Sequence, residues 1–350
     1  MDSLTQIVLG SSVAAVTAPS HQRRPAIVAG AILGTLPDLD VIWFKLAGSD
    51  AITQVTWHRG PSHSLFLLTL LGLALWLLGR RFSPLVQEAP RRWLWLVLLV
   101  LLTHPLLDAF TVYGTQLFWP LPWSPVMGAS IFIVDPLYTL PLLIGVIRAW
   151  QLSPGTSARD LWRVGALPAS TSAGMMLARY SPQRGANRWL TLGLVLSSLY
   201  LGWSVHAKQQ ADEDAAAQLA DMNLQDAPRV AIPLPFNTLN WRIIVMAPDG
   251  YWIGDRFLFS GEKIDFKFHA SETAALKEIE SDPQIQRLLW FSHGFVGLRM
   301  EPGADGAGQR LILSDLRMGL EPDYFFQYHV ADQQADGSWK TLPVVTRLRD

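Results

Sequence analysis

Apolar residues dominate the first two thirds of the chain, in six segments separated by short polar stretches. The segments are residues 4–18, 26–46, 65–78, 93–110, 131–147 and 189–205. Residues 65–78 and 93–102 are apolar on every helical face, whereas a surface helix of a soluble protein keeps a polar stripe. The pattern predicts an α-helical membrane domain of about five to six helices. Because several segments are shorter than the ~20 residues of a straight span, buried helices of a soluble all-α protein are the alternative.

Tryptophan and arginine follow the boundaries of these segments. Tryptophans lie near segment ends, as in the aromatic belts of membrane proteins: Trp43, Trp57, Trp93, Trp95, Trp119, Trp123, Trp150 and Trp189. Arginines crowd alternate loops: Arg23 and Arg24; Arg80, Arg81, Arg91 and Arg92; then Arg148, Arg159, Arg163, Arg179, Arg184 and Arg188. The positive-inside rule places these loops in the cytoplasm. We therefore expect a multi-pass protein of the bacterial inner membrane, with loops 47–62 and 111–130 and the C-terminal domain outside the cytoplasm.

The last third of the chain has the pattern of a soluble domain. Residues 207–228 are polar and favour a helix or stalk. Beyond Arg229 apolar and polar residues alternate as in strands, with a turn signal at 247–250 and one helical stretch at 272–289 interrupted near Pro283. We predict a helical membrane domain at 1–150, a flexible basic linker at 151–188, a last membrane helix at 189–206 and a small α+β soluble domain at 207–350.

Composition narrows the chemistry. The formal net charge is −1, so nothing global suggests nucleic acid as a partner. The chain has no cysteine, which excludes thiolate metal ligands, cysteine nucleophiles and disulfides. An acid, Asp2, stands where a signal peptide needs a basic residue, so we expect no cleaved signal peptide.

Histidine and aspartate cluster in the apolar part of the chain. The clusters are Pro37-Asp38-Leu39-Asp40, His58-Arg59-Gly60-Pro61-Ser62-His63-Ser64, His104-Pro105-Leu106-Leu107-Asp108, and Asp135. A carboxylate near hydrocarbon costs at least a few kcal/mol unless it is paired or bound to metal. Imidazole and carboxylate without thiolate suit zinc, with manganese or iron as alternatives. By the arginine-derived topology, all of these clusters fall at the outer ends of their segments.

We assign roles on this basis. The predicted ligands of a divalent transition metal are Asp38, His58, His63, His104 and Asp108. Asp40 and Asp135 would bind a second metal, orient a histidine ligand or act as general base, and Arg59 would bind a phosphate oxygen. Each cluster also has a local explanation: the aspartates can cap helices, His104 and Asp108 can form a buried pair, and Arg59 can be a snorkelling charge. A nucleophilic serine beside His63 is disfavoured, because adjacent residues do not meet as a catalytic triad does.

The ordered set of motifs resembles a known family, the predicted membrane-bound metal-dependent hydrolases called the YdjM-like or DUF457 group. The matching text is Met1-Asp2-Ser3-Leu4-Thr5-Gln6 with Gly10, then Gly34 to Asp40, His58 to Ser64, His104 to Asp108, Thr111 to Thr115, and Asp135-Pro136. The resemblance covers about residues 1–150 and implies a helical membrane fold with hydrolase activity. Many relatives carry histidine where this chain has Gln6. A remoter similarity, to zinc-dependent phospholipase C, suggests phosphoester substrates.

Three functions are compatible with the sequence. The leading hypothesis is a metal-dependent hydrolase that cleaves a lipid or other phosphoester with a metal-activated water at the outer membrane face. The second is a non-enzymatic membrane protein in which a metal or ion-pair cluster holds helices together. The third is a metal or proton transporter, although the charges lie at segment ends rather than at the bilayer midplane. In each case the soluble domain could bind an envelope partner.

Overall fold

The computed structural model describes residues 1–153, 182–303 and 308–348. The chain forms two compact units. The first unit comprises Met1–Leu39, Ser62–Leu107 and Val134–Trp203, and the second comprises Asp40–Pro61, Asp108–Ile133 and Ser204–Asp350. The predicted flexible linker, 151–188, falls largely on residues 154–181, outside the described residues.

Helices form most of the first unit and cover most of each apolar segment. Along the chain the helices are α1 (Ser3–Thr17), α2 (Arg23–Thr35), α3 (Asp40–Leu46), α4 (Ala51–Trp57), α5 (Leu65–Phe82), α6 (Pro84–Glu88), α7 (Pro90–Asp108), α8 (Pro136–Leu152), α9 (Pro182–Asp221), α10 (Thr273–Ile279) and α11 (Pro283–Ser292). Short 3₁₀ turns occupy Leu36–Leu39 and Pro61–His63. The last apolar segment and the polar stalk form one helix, α9, of 40 residues.

Among the described residues, three helical stretches are long and apolar enough to cross a membrane, namely Ser20–Leu46, Leu65–Phe82 and Gln183–Asp221, and α1 is a shorter apolar helix. Helix α5 leaves large apolar side chains uncovered: Leu70 is 62% exposed and Leu77 is 57% exposed. A helix with apolar residues facing outward fits lipid and not water.

Glycines bring α1 and α2 into close contact. A Cβ atom added to Gly34 would lie 2.7 Å from the carbonyl oxygen of Gln6, and one added to Gly10 would collide with the carbonyl oxygen of Gly30. Small residues at such crossings let helix backbones approach in membranes. The contact places the end of α2 beside the start of α1, which matters for the site below.

Helix α8 begins later than the hydrophobic pattern indicates. The pattern predicts a helical segment from Ile131, but the helix starts at Pro136, with Asp135 as its N-cap. Proline is favoured in the first turn because that position needs no amide donor. The residues before Asp135 are irregular instead, and the amides of Gly128 and Ser130 donate to the carbonyls of Ala109 and Phe110.

The C-terminal residues of the second unit are rich in β-sheet. The strands are β1 (Arg229–Pro233), β2 (Asn240–Ala247), β3 (Gly250–Phe257), β4 (Lys267–Ala270), β5 (Val296–Pro302), β6 (Gln309–Asp315), β7 (Gly319–Leu320), β8 (Asp323–Tyr324), β9 (Gln327–Gln333) and β10 (Trp339–Arg347). They form antiparallel sheets ordered β1-β2-β3-β4 and β10-β9-β6-β5, with a β7–β8 hairpin. The predicted turn at 247–250 joins β2 to β3, and Pro283 starts a separate helix, α11.

The core of the second unit includes residues from the two inserted segments. Ile52 and Val55 of α4 and Tyr113 lie in one buried cluster with Phe291 of α11 and Leu313 of β6. Segments 40–61 and 108–133 are therefore packed against the C-terminal sheets and helices. This arrangement matters because these two segments carry His58, Arg59 and Asp108.

Candidate metal centre

Four of the predicted metal ligands lie in two 3₁₀ turns and at the end of one helix. Asp38 lies in the 3₁₀ turn after α2, and His63 ends the 3₁₀ turn before α5. His104 and Asp108 lie on the last turns of α7, where a spacing of four residues puts both on one helical face. The imidazoles and Asp108 are almost completely buried, with His63 at 0% and His104 at 1% exposure.

The two imidazoles face each other through their Nε2 atoms, which are 3.1 Å apart. Asp38 Oδ1 lies 3.3 Å from Nε2 of His63 and 3.5 Å from Nε2 of His104. One ligand atom from each of Asp38, His63, His104 and Asp108 lies within 4.8 Å of the others. These four are the group that could hold a metal ion.

The spacing of the donor atoms fits a small divalent ion. In a tetrahedral zinc site with ligands about 2.0–2.1 Å from the ion, neighbouring ligand atoms lie about 3.3 Å apart. The separations of 3.1, 3.3 and 3.5 Å among His63, His104 and Asp38 are close to that value. Two facing imidazole nitrogens with a carboxylate oxygen beside both are a donor set that zinc, manganese and iron accept.

Neighbouring polar groups fix how the histidines are turned. His104 Nδ1 lies 2.7 Å from the carbonyl oxygen of Gly34. Because a carbonyl only accepts, Nδ1 carries the proton that points to Gly34, and Nε2 is the ring nitrogen directed toward His63. His63 Nδ1 contacts Ser62 Oγ at 3.0 Å. Such contacts orient metal-binding imidazoles in known sites.

Arg59 is buried and engages the helix end that carries Asp108. Its Nε lies 3.2 Å from Asp108 Oδ2, and its Nη1 donates to Thr111 Oγ1 at 2.9 Å. Its guanidinium stacks over the ring of Tyr113, 4.9 Å from the centroid. The backbone of Arg59 has φ 61°, a conformation that non-glycine residues rarely adopt. With 4% exposure, Arg59 does not have the solvent contact of a snorkelling charge.

Tyr113 supports this arginine from the loop that follows α7. Burial raises the pKa of the Tyr113 hydroxyl, while the positive charge of Arg59 opposes that shift. The hydroxyl therefore stays protonated and donates to the carbonyl oxygen of Val55 at 2.7 Å. Tyr113 also meets His58 edge to face, with ring centroids 5.5 Å apart.

The remaining predicted site residues have other partners. His58 Nδ1 contacts Asp40 Oδ1 at 2.9 Å, and Asp40 Oδ2 accepts the backbone amide of Arg59 at 3.3 Å. Asp135 caps α8 by accepting the amides of Leu137 and Tyr138, and it accepts the hydroxyl of Tyr200 at 2.8 Å. Within the described residues, the candidate metal group includes none of His58, Asp40 and Asp135. Their predicted roles in the chemistry stay predictions.

Sequence reasoning missed three residues that support the site. Gly34 supplies the carbonyl that orients His104, Thr111 bridges Arg59 to the carbonyl oxygen of Asp108, and Tyr200 binds Asp135. Tyr200 carried a usable signal, because a hydroxyl within an apolar segment needs a partner. A backbone carbonyl such as that of Gly34 leaves no mark in a sequence. Gln6, where relatives carry histidine, is buried, and its side-chain amide donates to the backbone carbonyl of His104 at 3.2 Å.

Known proteins are similar in sequence to parts of this chain. A sequence model of the family described as "YdjM inner membrane protein" matches residues 1–211. Inner membrane protein YbcI of Escherichia coli (strain K12) is 40% identical over 98 residues, 28% of this chain and 54% of YbcI. Uncharacterized protein YfhP of Bacillus subtilis (strain 168) is 29% identical over 175 residues, 46% of this chain and 50% of YfhP. The chain thus spans about half the length of the curated relatives it matches. No solved structure matches it.

Proposed function

Since the chain belongs to the YdjM family of inner membrane proteins, we propose that it is a membrane-bound hydrolase that cleaves a phosphoester with the help of a divalent metal ion. Asp38, His63, His104 and Asp108 would hold the ion. The observation that supports this proposal most directly is the pair of imidazole Nε2 atoms 3.1 Å apart in a buried site. Two neutral imidazoles can form one N–H···N hydrogen bond at this distance, but a bound cation also accounts for the carboxylate of Asp38 beside both nitrogens.

The proposed chemistry assigns one role to the ion and the others to the protein. A bound zinc ion, or manganese as the alternative, would lower the pKa of a coordinated water to about 7. Arg59 holds the carboxylate of Asp108 and would attract the phosphate oxygens of a substrate. Asp40 and His58 form a hydrogen-bonded pair that could accept and pass on a proton. Asp135 would contribute by holding the N-terminus of α8, which it caps.

The proposal also includes the orientation of the protein in the membrane. The arginine-rich loops would lie in the cytoplasm, and the site and the C-terminal domain outside it. A reporter enzyme fused after Lys208 that is active only outside the cytoplasm would support this orientation. Activity only in the cytoplasm would reverse it.

A structural metal is the second candidate function, and the number of ligands favours it. Four protein ligands can fill a tetrahedral zinc site, whereas catalytic zinc sites usually keep one position for water. In that case the ion would only join α7 to the turns at Asp38 and His63, and no substrate would be turned over. Metal content alone cannot separate the two functions, so the test needs an activity measurement.

The experiment compares His63→Ala with His21→Gln. His21 is a matched control because it is a histidine of the same unit whose side chain is 48% exposed and contacts Glu88, outside the candidate metal group. We expect detergent-purified wild type and His21→Gln to carry stoichiometric zinc or manganese and His63→Ala to carry little. Hydrolysis of bis(p-nitrophenyl) phosphate should follow the metal content and return when zinc or manganese is added after EDTA treatment.

The outcomes separate the proposals. Wild type without a transition metal would end both candidate functions. Metal that is lost in His63→Ala, with no phosphoester turnover in any sample and a lower melting temperature in the variant, would favour the structural role. Asp108→Asn sharpens the distinction, because the hydrolase proposal predicts that this variant loses turnover while its protein level stays unchanged.

A further inference from the structure

The loop between α7 and α8 has an unusual amino-acid composition for a connecting loop. Residues 111–134 contain no Asp, Glu, Lys or Arg. The stretch begins after α7 ends at Asp108 and stops before α8 begins at Pro136. A long connection without charge is atypical of loops that face only water, since loops are usually polar.

The tip of this loop, residues 117–125, carries apolar side chains that the protein does not cover. Trp123 is 57% exposed and Leu121 is 42% exposed, and both prolines beside Leu121 are exposed as well. Phe118 meets Trp123 edge to face, with centroids 5.1 Å apart. The tip is ordered by its own hydrogen bonds, because the amide of Leu121 donates to the carbonyl of Phe118 at 2.9 Å.

The base of the tip loop is fixed to the residues that hold Arg59. Thr115 and Val126 pair across the base through backbone hydrogen bonds of 3.0 and 2.8 Å. The backbone amide of Gln116 donates to the carbonyl of Arg59 at 2.9 Å, and its side-chain amide donates to the carbonyl of Thr56 at 2.9 Å. A displacement of the tip therefore acts directly on the backbone of Arg59.

We propose that the tip loop inserts into the lipid surface and that its occupant is the acyl-chain and headgroup boundary of the bilayer. Three observations support lipid over a protein partner. The tip is flanked in the chain by apolar helices on both sides, it lacks any charge that would select a soluble protein, and its exposed residues include tryptophan and leucine, which prefer the membrane interface.

The position of the tip also indicates which class of substrate the protein would cleave. This step rests on the proposed hydrolase function. A loop that touches lipid at its tip and Arg59 at its base would bring a lipid-borne phosphoester to the arginine, in preference to a phosphoester dissolved in water. The phosphate group of such a lipid lies at the headgroup level, where an interfacial loop ends.

The insertion is tested without reference to activity. The chain has no cysteine, so Leu121→Cys provides a single site for an environment-sensitive fluorophore. The matched control is Ala335→Cys, in the exposed turn between β9 and β10. In phosphatidylglycerol–phosphatidylethanolamine proteoliposomes we expect blue-shifted emission at 121, quenched by lipids brominated on their acyl chains, and aqueous emission at 335.

Two results would overturn the insertion. Aqueous emission at 121 would show a tip in water. Blue-shifted emission that brominated lipids do not quench would show a tip covered by protein, such as a second copy of the chain. Both results are independent of whether the protein hydrolyses anything.

The substrate class has its own test, which uses Leu121→Ser combined with Trp123→Ser. Turnover of phosphatidylglycerol in vesicles should fall about tenfold, which corresponds to about 1.4 kcal/mol of lost apolar contact. Turnover of bis(p-nitrophenyl) phosphate should be unchanged, and metal content should match wild type. Equal losses on both substrates would contradict the lipid preference, whereas a wild type that cleaves neither substrate would reject the hydrolase proposal instead.

Discussion

The two units of the protein place polar and apolar residues in opposite ways. The helical unit leaves Leu70 and Leu77 uncovered and buries Gln6 and His104. The β-rich unit buries Trp241 and Ile243 of β2 and leaves Asn240 and Arg242 of the same strand partly exposed. Outward-facing apolar side chains fit lipid, whereas a buried apolar core is typical of a domain in water.

The difference changes how a buried polar group is interpreted. In the β-rich unit, Arg317 and Asp315 form a buried ion pair with a structural role. Arg317 Nη2 and Asp315 Oδ2 are 2.6 Å apart. In the helical unit no water surrounds the helices, so each buried polar side chain needs a partner within the protein. His63 and His104 have each other and Asp38. Such a group in lipid surroundings points to a bound cation more strongly than the same group would in a soluble core.

The largest expected effect tests whether the two units have different surroundings. Leu70→Lys should lower the amount of membrane-inserted protein, because a lysine near the centre of a spanning helix costs about 2.5–3.5 kcal/mol. Phe259→Lys changes a residue of the second unit that is 67% exposed, and it should alter stability by no more than about 0.5 kcal/mol. Alkaline extraction of membranes measures the first effect and thermal unfolding the second. Normal insertion of Leu70→Lys would contradict a lipid-facing α5.

A smaller effect tests the close contact of α1 and α2. Gly34→Ala should destabilise the protein by about 1–3 kcal/mol, because the new methyl group meets the carbonyl oxygen of Gln6 at 2.7 Å. It should also weaken metal binding, since the carbonyl of Gly34 orients His104. Gly202→Ala is the control, with open space around the added methyl group and an expected gain of about 0.5–1 kcal/mol. Thermal unfolding in detergent and metal titration measure both variants.

The smallest effect belongs to the β-rich unit and depends on pH. Burial raises the pKa of Glu301, but hydrogen bonds from Arg299 and Arg310 outweigh it and hold the pKa below its ordinary value. A carboxylate with a depressed pKa adds stability above its unfolded pKa of about 4.3, and this stability is lost as the pH falls through the folded value. Glu301→Gln should therefore flatten the acid dependence of β-sheet melting. Parallel melting curves for wild type and variant would count against the ion pairs.

Much of the fold was predictable because periodicity reports which side of an element is covered. The apolar segments predicted α1, α5 and α7, and the turn signal at 247–250 predicted the β2–β3 hairpin. The four members of the candidate metal group were all among the predicted ligands. Histidine and aspartate are rare beside hydrocarbon, and that rarity is visible in a sequence.

The rest depends on contacts that spacing does not specify. His58 and His63 bracket the same turn, yet His63 faces His104 while His58 faces Asp40. Arg59, which lies between them, has a φ of 61°, and no local pattern predicts that conformation. The packing of Tyr113 against Phe291 also joins residues far apart in the chain, with centroids 5.1 Å apart.

The hydrogen bond from His104 to Gly34 has a thermodynamic consequence. The bond orients this imidazole in the folded protein, with Nδ1 toward the carbonyl of Gly34 and Nε2 toward His63. Small zinc domains, by contrast, fold when they bind metal. Calorimetry of metal uptake should thus register little change in heat capacity. The entropy of ordering this ligand is already spent when the chain folds.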